Sequence, residues 1–185
     1  MLPFAKVFRV TFLICAALAV TPMFAVQSFT QQISAKEPEP KPEDKIEFLE
    51  IYCFDEVNLR RKEHGLEPLE FSGRLLEVAR NYSRRMAEEG FFSHTDPQGK
   101  TADDRVRAAG LKWKAMGENL LNIKGYINPV PPAVNQWMRS PEHRRNILDP
   151  SYQYSAVGVW TASNGMVYFT QLFLGEKQPK VAKKK

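Results

Sequence analysis

Apolar positions change rhythm along the chain. Val10 to Val20 is an apolar run, interrupted by Thr11, behind Lys6 and Arg9, with the small Ala25 beyond it. The run is shorter than the roughly 20 residues a spanning helix needs, and its basic head and small-residue exit are those of an export signal. Residues 1–25 are therefore read as a signal peptide, or as an N-terminal anchor bent at Pro22. Ser34 to Lys45, SAKEPEPKPEDK, has no apolar period. Alternating proline and charge buries nothing and keeps the backbone solvated, so 26–45 is predicted as a linker.

From Ile46 the period becomes helical. Ile46, Leu49, Cys53 and Val57 share one face of a helix predicted over Ile46–His64, stopped by Gly65 with Pro68 following. Ser72 is a good N-cap for a second helix, Gly73–Glu89, with a stripe of Leu75, Ala79, Tyr82 and Met86 and a stop at Gly90. A polar stretch, Ser93 to Lys100, turns at Asp96-Pro97 and Gly99. A short helix is predicted over Thr101–Ala109, ending at Gly110. Another begins within Asn128–Pro132 and carries Val134, Trp137 and Met138. A further one runs from Pro141 to Ile147. Two β-rich runs, Ser155–Thr161 and Met166–Leu174, flank Asn164-Gly165, a strong hairpin signal. Helices followed by a hairpin predict an α+β domain over residues 46–175 with an antiparallel sheet.

Composition changes this picture little. The net charge is +5 and the pI about 9.2. Yet from Ile46 to Gly175 sixteen Lys plus Arg balance sixteen Asp plus Glu. The excess lies at the end of the chain, so 176–185 reads as a basic, disordered tail. With no basic face bearing aromatics in the domain, nucleic acid is a poor partner. The linker and Lys tail suit peripheral association with a membrane or wall. Export permits disulfides, but once Cys15 leaves with the signal, Cys53 alone remains and no internal bridge forms. Its helical spacing predicts a buried, inert thiol.

Three histidines carry the candidate chemistry. His64 ends the first helix, where a cation is favoured, and reads as a capping or surface group. His94 follows Phe91-Phe92, expected to anchor in the core, and opens the polar turn with Ser93 beside it. Glu118 follows Gly117 and precedes Leu120 and Leu121, so partial burial and a partner are expected. His143 starts the short helix after Pro141. Two histidines and a carboxylate can bind a divalent metal such as zinc. Spacing alone does not join them, since 24 and 25 residues separate them in sequence. Three separately hydrogen-bonded polar residues are the alternative.

Longer motifs join them. Phe91-Phe92-Ser93-His94-Thr95-Asp96-Pro97, Gly117-Glu118-Asn119-Leu120 and the segment Trp137 to Leu148, WMRSPEHRRNIL, resemble in order the motifs of the bacterial CAP family (cysteine-rich secretory, antigen-five and pathogenesis-related proteins; SCP-like domain). Asn58-Leu59-Arg60-Arg61, Gly65-Leu66 and Pro68-Leu69 fit its first helix and turn. The resemblance covers roughly Ile46 to Leu174. It implies an α-β-α sandwich with a small antiparallel sheet between helical layers and a large cleft lined by histidines and acidic residues, where some members bind a divalent metal. His94 and Glu118 match family positions directly. His143 matches the bacterial histidine, one helical turn beyond an acidic position of the eukaryotic branch, where Ser140 stands. The eukaryotic GHYTQ histidine has no match. Tyr154 replaces a polar or acidic residue before the strand, and Ser155-Ala156 departs from the usual apolar-Gly pair. A three-residue site of His94, Glu118 and His143, completed by water or Tyr154, is the expected arrangement.

The resemblance implies a secreted or envelope-associated bacterial protein, expected as a monomer. The favoured reading is a non-enzymatic binding module for a lipid or cell-envelope ligand. The alternative is a metal-dependent, peptidase-like hydrolase with Glu118 as general base. A third is a structural envelope protein with a vestigial cleft. No nucleophile stands with a base in the sequence, which weighs against covalent catalysis.

Overall fold

The computed structural model describes residues 42–176, so the expected signal, most of the linker and nearly all of the Lys tail lie outside the described residues. Helix α1 (Pro42–Glu63) starts four residues before the predicted Ile46. Pro42, Glu43 and Asp44 form its first turn, a proline and acids placed where helix N-termini favour them. Strand β1 (Glu70–Phe71) is two residues long. Helix α2 (Gly73–Glu89) is capped as predicted: Ser72 accepts from the Leu75 N–H, and Gly90, left-handed at φ 72°, closes it onto the Met86 carbonyl. Helix α3 (Ala102–Ala108) opens with a capping box between Thr101 and Asp104. Then come β2 (Ala115–Ile123), α4 (Val130–Arg139), α5 (Pro141–Ile147), β3 (Tyr154–Thr161) and β4 (Val167–Gly175).

The sheet order is β1-β3-β4-β2. The β3–β4 hairpin is present, and β2 pairs antiparallel along the whole of β4, from Ala115 opposite Gly175 to Ile123 opposite Val167. The sheet departs from pure antiparallel pairing only where β1 meets β3 in parallel at Glu70 and Phe71. Alternate residues of β4 face opposite layers. Val167, Phe169 and Phe173 join Val57, Val134, Trp137 and Ile147 under α1, α4 and α5. Leu172 and Leu174 join Leu75, Ala79 and Val106 under α2 and α3. This is an α+β fold with the sheet sandwiched between helical layers.

Strand β2 was not expected from periodicity. Its sequence, AMGENLLNI, places polar residues where apolar ones would mark an inward face, because Glu118 and Asn119 are both taken up by internal partners.

Two contacts fix α2 against the sheet. A Cβ on Gly158 would stand 2.0 Å from the Arg80 nitrogen and 2.2 Å from the Ala79 carbonyl carbon, so the α2 backbone rests directly on β3. Ser83 seals the approach by hydrogen-bonding the Gly158 carbonyl at 2.9 Å and the Thr170 hydroxyl at 2.8 Å. At the free edge of β3, buried Glu50 from α1 accepts the Val159 N–H at 3.1 Å and forms a two-point ion pair with Arg80 of α2. One carboxylate thus ties both helical layers to an otherwise unpaired strand edge.

Gly158→Ala is expected to destabilise the domain by about 3 kcal/mol or more, because backbone must move where side-chain rotation cannot relieve the overlap. Urea unfolding checks this, and a midpoint equal to the parent's would disprove the close approach. Cys53 is fully buried and burial pushes its thiol pKa up. Native-state labelling by a thiol reagent should proceed no faster than unfolding.

Candidate functional site

The site grows from the end of α2. Tyr82 and Met86 are fully buried with Leu120, and Phe91, just past the Gly90 cap, packs edge-on to Tyr82 at 5.8 Å. Phe91 alone is the expected anchor. Phe92 remains about half exposed against Tyr168. The following loop is pinned twice. The Tyr82 hydroxyl donates to the Ser93 carbonyl at 2.7 Å. Asp96, buried, accepts from the Gln98 and Lys100 N–H groups and from Arg85 at 2.8 Å. The Arg85 guanidinium beside Asp96 holds its carboxyl below the usual carboxylate range. His94 therefore stands on a rigid loop with an accessible ring, its side chain 60% exposed.

Strand β2 delivers Glu118 beneath it. One carboxylate oxygen accepts from His94 Nδ1 at 2.8 Å, and the other accepts from Arg105 of α3 at 2.7 Å. Only 4% of the Glu118 side chain and 9% of Arg105 are exposed, so this is a buried pair beneath an exposed imidazole. Arg105 also donates to the His94 and Lys100 carbonyls, and its guanidinium lies over the Tyr82 ring, 3.3 Å from the centroid.

His143 comes from the other layer. Asn119, the residue after Glu118, points to the opposite face of β2, where its amide donates to the His143 carbonyl at 3.1 Å. Asn146 donates to the Asn119 side chain at 2.8 Å and to the Glu118 carbonyl at 3.3 Å. These bonds fasten α5 to β2, the outer strand of the sheet. A Cβ on Gly117 would meet the Tyr152 hydroxyl at 2.6 Å, which is why glycine precedes Glu118.

The two imidazoles are driven apart electrostatically. The hydrogen bond to Glu118 raises the His94 pKa above its ordinary 6.5. Burial, followed by the charge of His94, lowers that of His143. Between the two values the pair holds one imidazolium and one neutral ring.

Other candidates fall elsewhere. The Ser93 hydroxyl accepts from the Thr95 N–H within its own turn. Tyr154 packs against the cluster that holds Leu75, Val106, Leu172 and Leu174, and the charges that raise its pKa are Glu176 and Glu70, so it does not join His94. His64 Nδ1 bonds the Arg60 carbonyl at the end of α1, as a capping group should. In this arrangement Glu118 stands behind His94 as its hydrogen-bond partner and is not disposed beside the two histidines as a third ligand. Both Glu118 oxygens are taken, one of them by a guanidinium. The buried polar atom left unpartnered here is Arg105 Nε, a donor that a cation cannot satisfy. Among the described residues no group of three or more His, Cys, Asp or Glu is disposed to hold a metal ion. Cavities of about 740 and 560 Å³ open elsewhere on the surface and not around His94. Arg105 is the functional residue that sequence reading missed, since an arginine in a short charged helix looks like a solvated one.

The family model for the cysteine-rich secretory protein family (CAP) matches residues 54–173. The Bacillus subtilis (strain 168) protein YkwD, uncharacterized by its name, is 34% identical over 120 residues, which is 65% of this chain and 44% of that one. The chain thus spans less than half the length of this relative. An extracellular protein containing an SCP domain from Bacillus anthracis str. Ames has a similar fold, with a TM-score of 0.65 and 24% identity over 76% of this chain and 45% of that one. An outer surface protein from Borrelia burgdorferi aligns with a TM-score of 0.63 and 21% identity, over 76% and 98% of the two chains.

Imidazole NMR against pH should place the His94 titration above 6.5 and the His143 titration below it. The signs differ in consequence. Stabilisation from His94 is full below the unfolded imidazole value and is lost as pH rises through its raised folded value. The folded protein resists protonating His143, so that penalty grows as pH falls below the unfolded value. Glu118→Gln should bring His94 below its ordinary value, because burial and the charge of Arg105 then outweigh the weaker pull of Glu142. Two superimposed titration curves in the parent would contradict the pairing.

Proposed function

Since the chain belongs to the cysteine-rich secretory protein family, we propose that it works outside the cytoplasm as a non-enzymatic binding module, holding a lipid or cell-envelope ligand at the His94–Glu118–His143 site. The names of the two similar solved structures, one extracellular and one an outer surface protein, support the location. Among the described residues no helix is long and apolar enough to cross a membrane. The observation that carries the binding reading is the exposed His94 ring held on the buried Glu118–Arg105 pair. A preorganised donor on a rigid base suits recognition of a polar head group. Among the described residues the Ser93 hydroxyl accepts from the Thr95 N–H and Cys53 is buried, so neither is offered as a nucleophile.

The opposed shifts of His94 and His143 favour one second reading, hydrolysis by an acid and a base of separated pKa. In that reading the imidazolium of His94 donates and neutral His143 accepts. Glu118 then orients His94 and is not the general base, because both its oxygens already accept from cationic partners.

Full-length protein should bind a fluorescent fatty acid or solubilised peptidoglycan fragments, with His94→Ala weakening the affinity tenfold or more and His64→Ala leaving it unchanged. Equal affinity in the His94 variant would remove the site from the function. Release of product from the peptidoglycan fragments, lost in His143→Ala, would favour the hydrolytic reading. A zinc titration of the parent and both histidine variants tests the metal directly, and no uptake is expected while Arg105 pairs with Glu118.

A further inference from the structure

Helix α5 has a second face. Asn146 and Ile147 look inward and His143 is partly buried, whereas Pro141, Arg144, Arg145 and Leu148, at the i, i+3, i+4, i+7 spacing, line a surface cavity of about 560 Å³ together with Arg139 and Asp149. Three guanidiniums meet one carboxylate there. Arg139 and Arg145 have no hydrogen bond or ion pair among the described residues. Arg144 uses one donor on His64 Nε2 at 3.1 Å, which accepts because His64 Nδ1 bonds the Arg60 carbonyl, and its other donors remain free. Asp149 is partly engaged, one carboxylate oxygen accepting from the Ser151 N–H.

The cavity is built on a fixed floor. Arg61 of α1, 2% exposed, donates to the Ile147 carbonyl at 2.7 Å and to the Asp149 carbonyl at 2.9 Å, holding the end of α5 and the next turn in place. It also puts a fourth positive charge behind the wall. Guanidiniums lining one cavity repel one another unless an anion sits between them. A planar carboxylate satisfies one fork, whereas several guanidiniums lining one cavity suit an oxyanion with more acceptor oxygens, such as a phosphoryl group. The cavity is far larger than a bare phosphate, and Leu148 and Pro141 give it an apolar wall. We propose that this cavity binds the phosphoryl group of an anionic phosphate ester, with Arg139, Arg144 and Arg145 as its ligands. It is separate from the His94 site, so either can be tested without the other.

A lipid head group and a soluble phosphate ester share this chemistry, and two probes distinguish them. Full-length protein is titrated with glycerol 3-phosphate by calorimetry, at ionic strength matched with chloride, and is sedimented with vesicles of phosphatidylglycerol and phosphatidylcholine against phosphatidylcholine alone. Arg139→Gln/Arg145→Gln should lose at least tenfold in affinity for whichever probe the parent binds. Arg84→Gln/Arg107→Gln removes the same charge from exposed positions elsewhere and should bind as the parent does. Thermal melts of both double variants confirm that they are folded. Binding of glycerol 3-phosphate assigns a soluble ester, and binding of the anionic vesicles alone assigns a head group. A parent that binds neither probe, or an Arg139/Arg145 variant indistinguishable from its equal-charge control, overturns the proposal.

Discussion

The contact of the α2 backbone with Gly158 of β3 is the constraint from which the site follows. With Ala79 and Arg80 lying directly on the strand, α2 can neither rotate nor slide. Its C-terminal turn must then end over β4 and β2, where Tyr82 and Met86 meet Leu120. The Gly90 cap releases the chain at that point, and the loop carrying His94 inherits its position from the helix. Glu50 completes the arrangement from the far layer, since its carboxylate satisfies the free edge of β3 and the arginine of α2 together. Removing one partner of such a buried pair typically costs about 3–5 kcal/mol, because the other charge is left without water or a counterion.

The second determinant is the pair Glu118–Arg105. A carboxylate buried beside Leu120 must be matched, and the arginine matches it while its guanidinium face is covered by Tyr82. The ring nitrogen of His94 nearest Glu118 is thereby fixed as a donor, which leaves Nε2 turned to the exposed side. This buried pair explains why two histidines on separate layers acquire opposite tendencies. One leans on a carboxylate, and the other is half-buried and feels the resulting charge.

What was legible in the sequence follows the range of the interactions involved. Ser72, Gly90 and Thr101 mark their helix ends because capping acts within a turn. Asn164-Gly165 gives the hairpin for the same reason, with Gly165 at φ 81°. The family motifs brought His94 and Glu118 together, which spacing could not. Strand β2 stayed hidden because its polar residues are satisfied from other elements, Glu118 by α3 and Asn119 by α5. Arg105 was invisible because its partners lie 13 residues ahead in β2 and 11 behind in the loop. Tyr154 is expected in the site on family position alone, and it packs instead against the cluster of Leu75, Val106, Leu172 and Leu174.

Helix α5 shows how little chain two surfaces require. It has seven residues, fewer than two turns beyond its ends, and would not hold a helical shape unaided. Its inner residues are fastened through Asn119 and Asn146 to the backbone of Glu118. Its C-terminal carbonyls are fastened through Arg61 to α1. Both anchors are polar and buried, so they fix register and orientation where a purely apolar face would allow the helix to roll. A roll of one residue would carry His143 away from His94 and turn Arg144 toward the sheet, where a guanidinium has no partner. The partly buried histidine and the outward arginines therefore depend on the same few hydrogen bonds. The sandwich holds this helix as a rigid partition with different chemistry on its two sides.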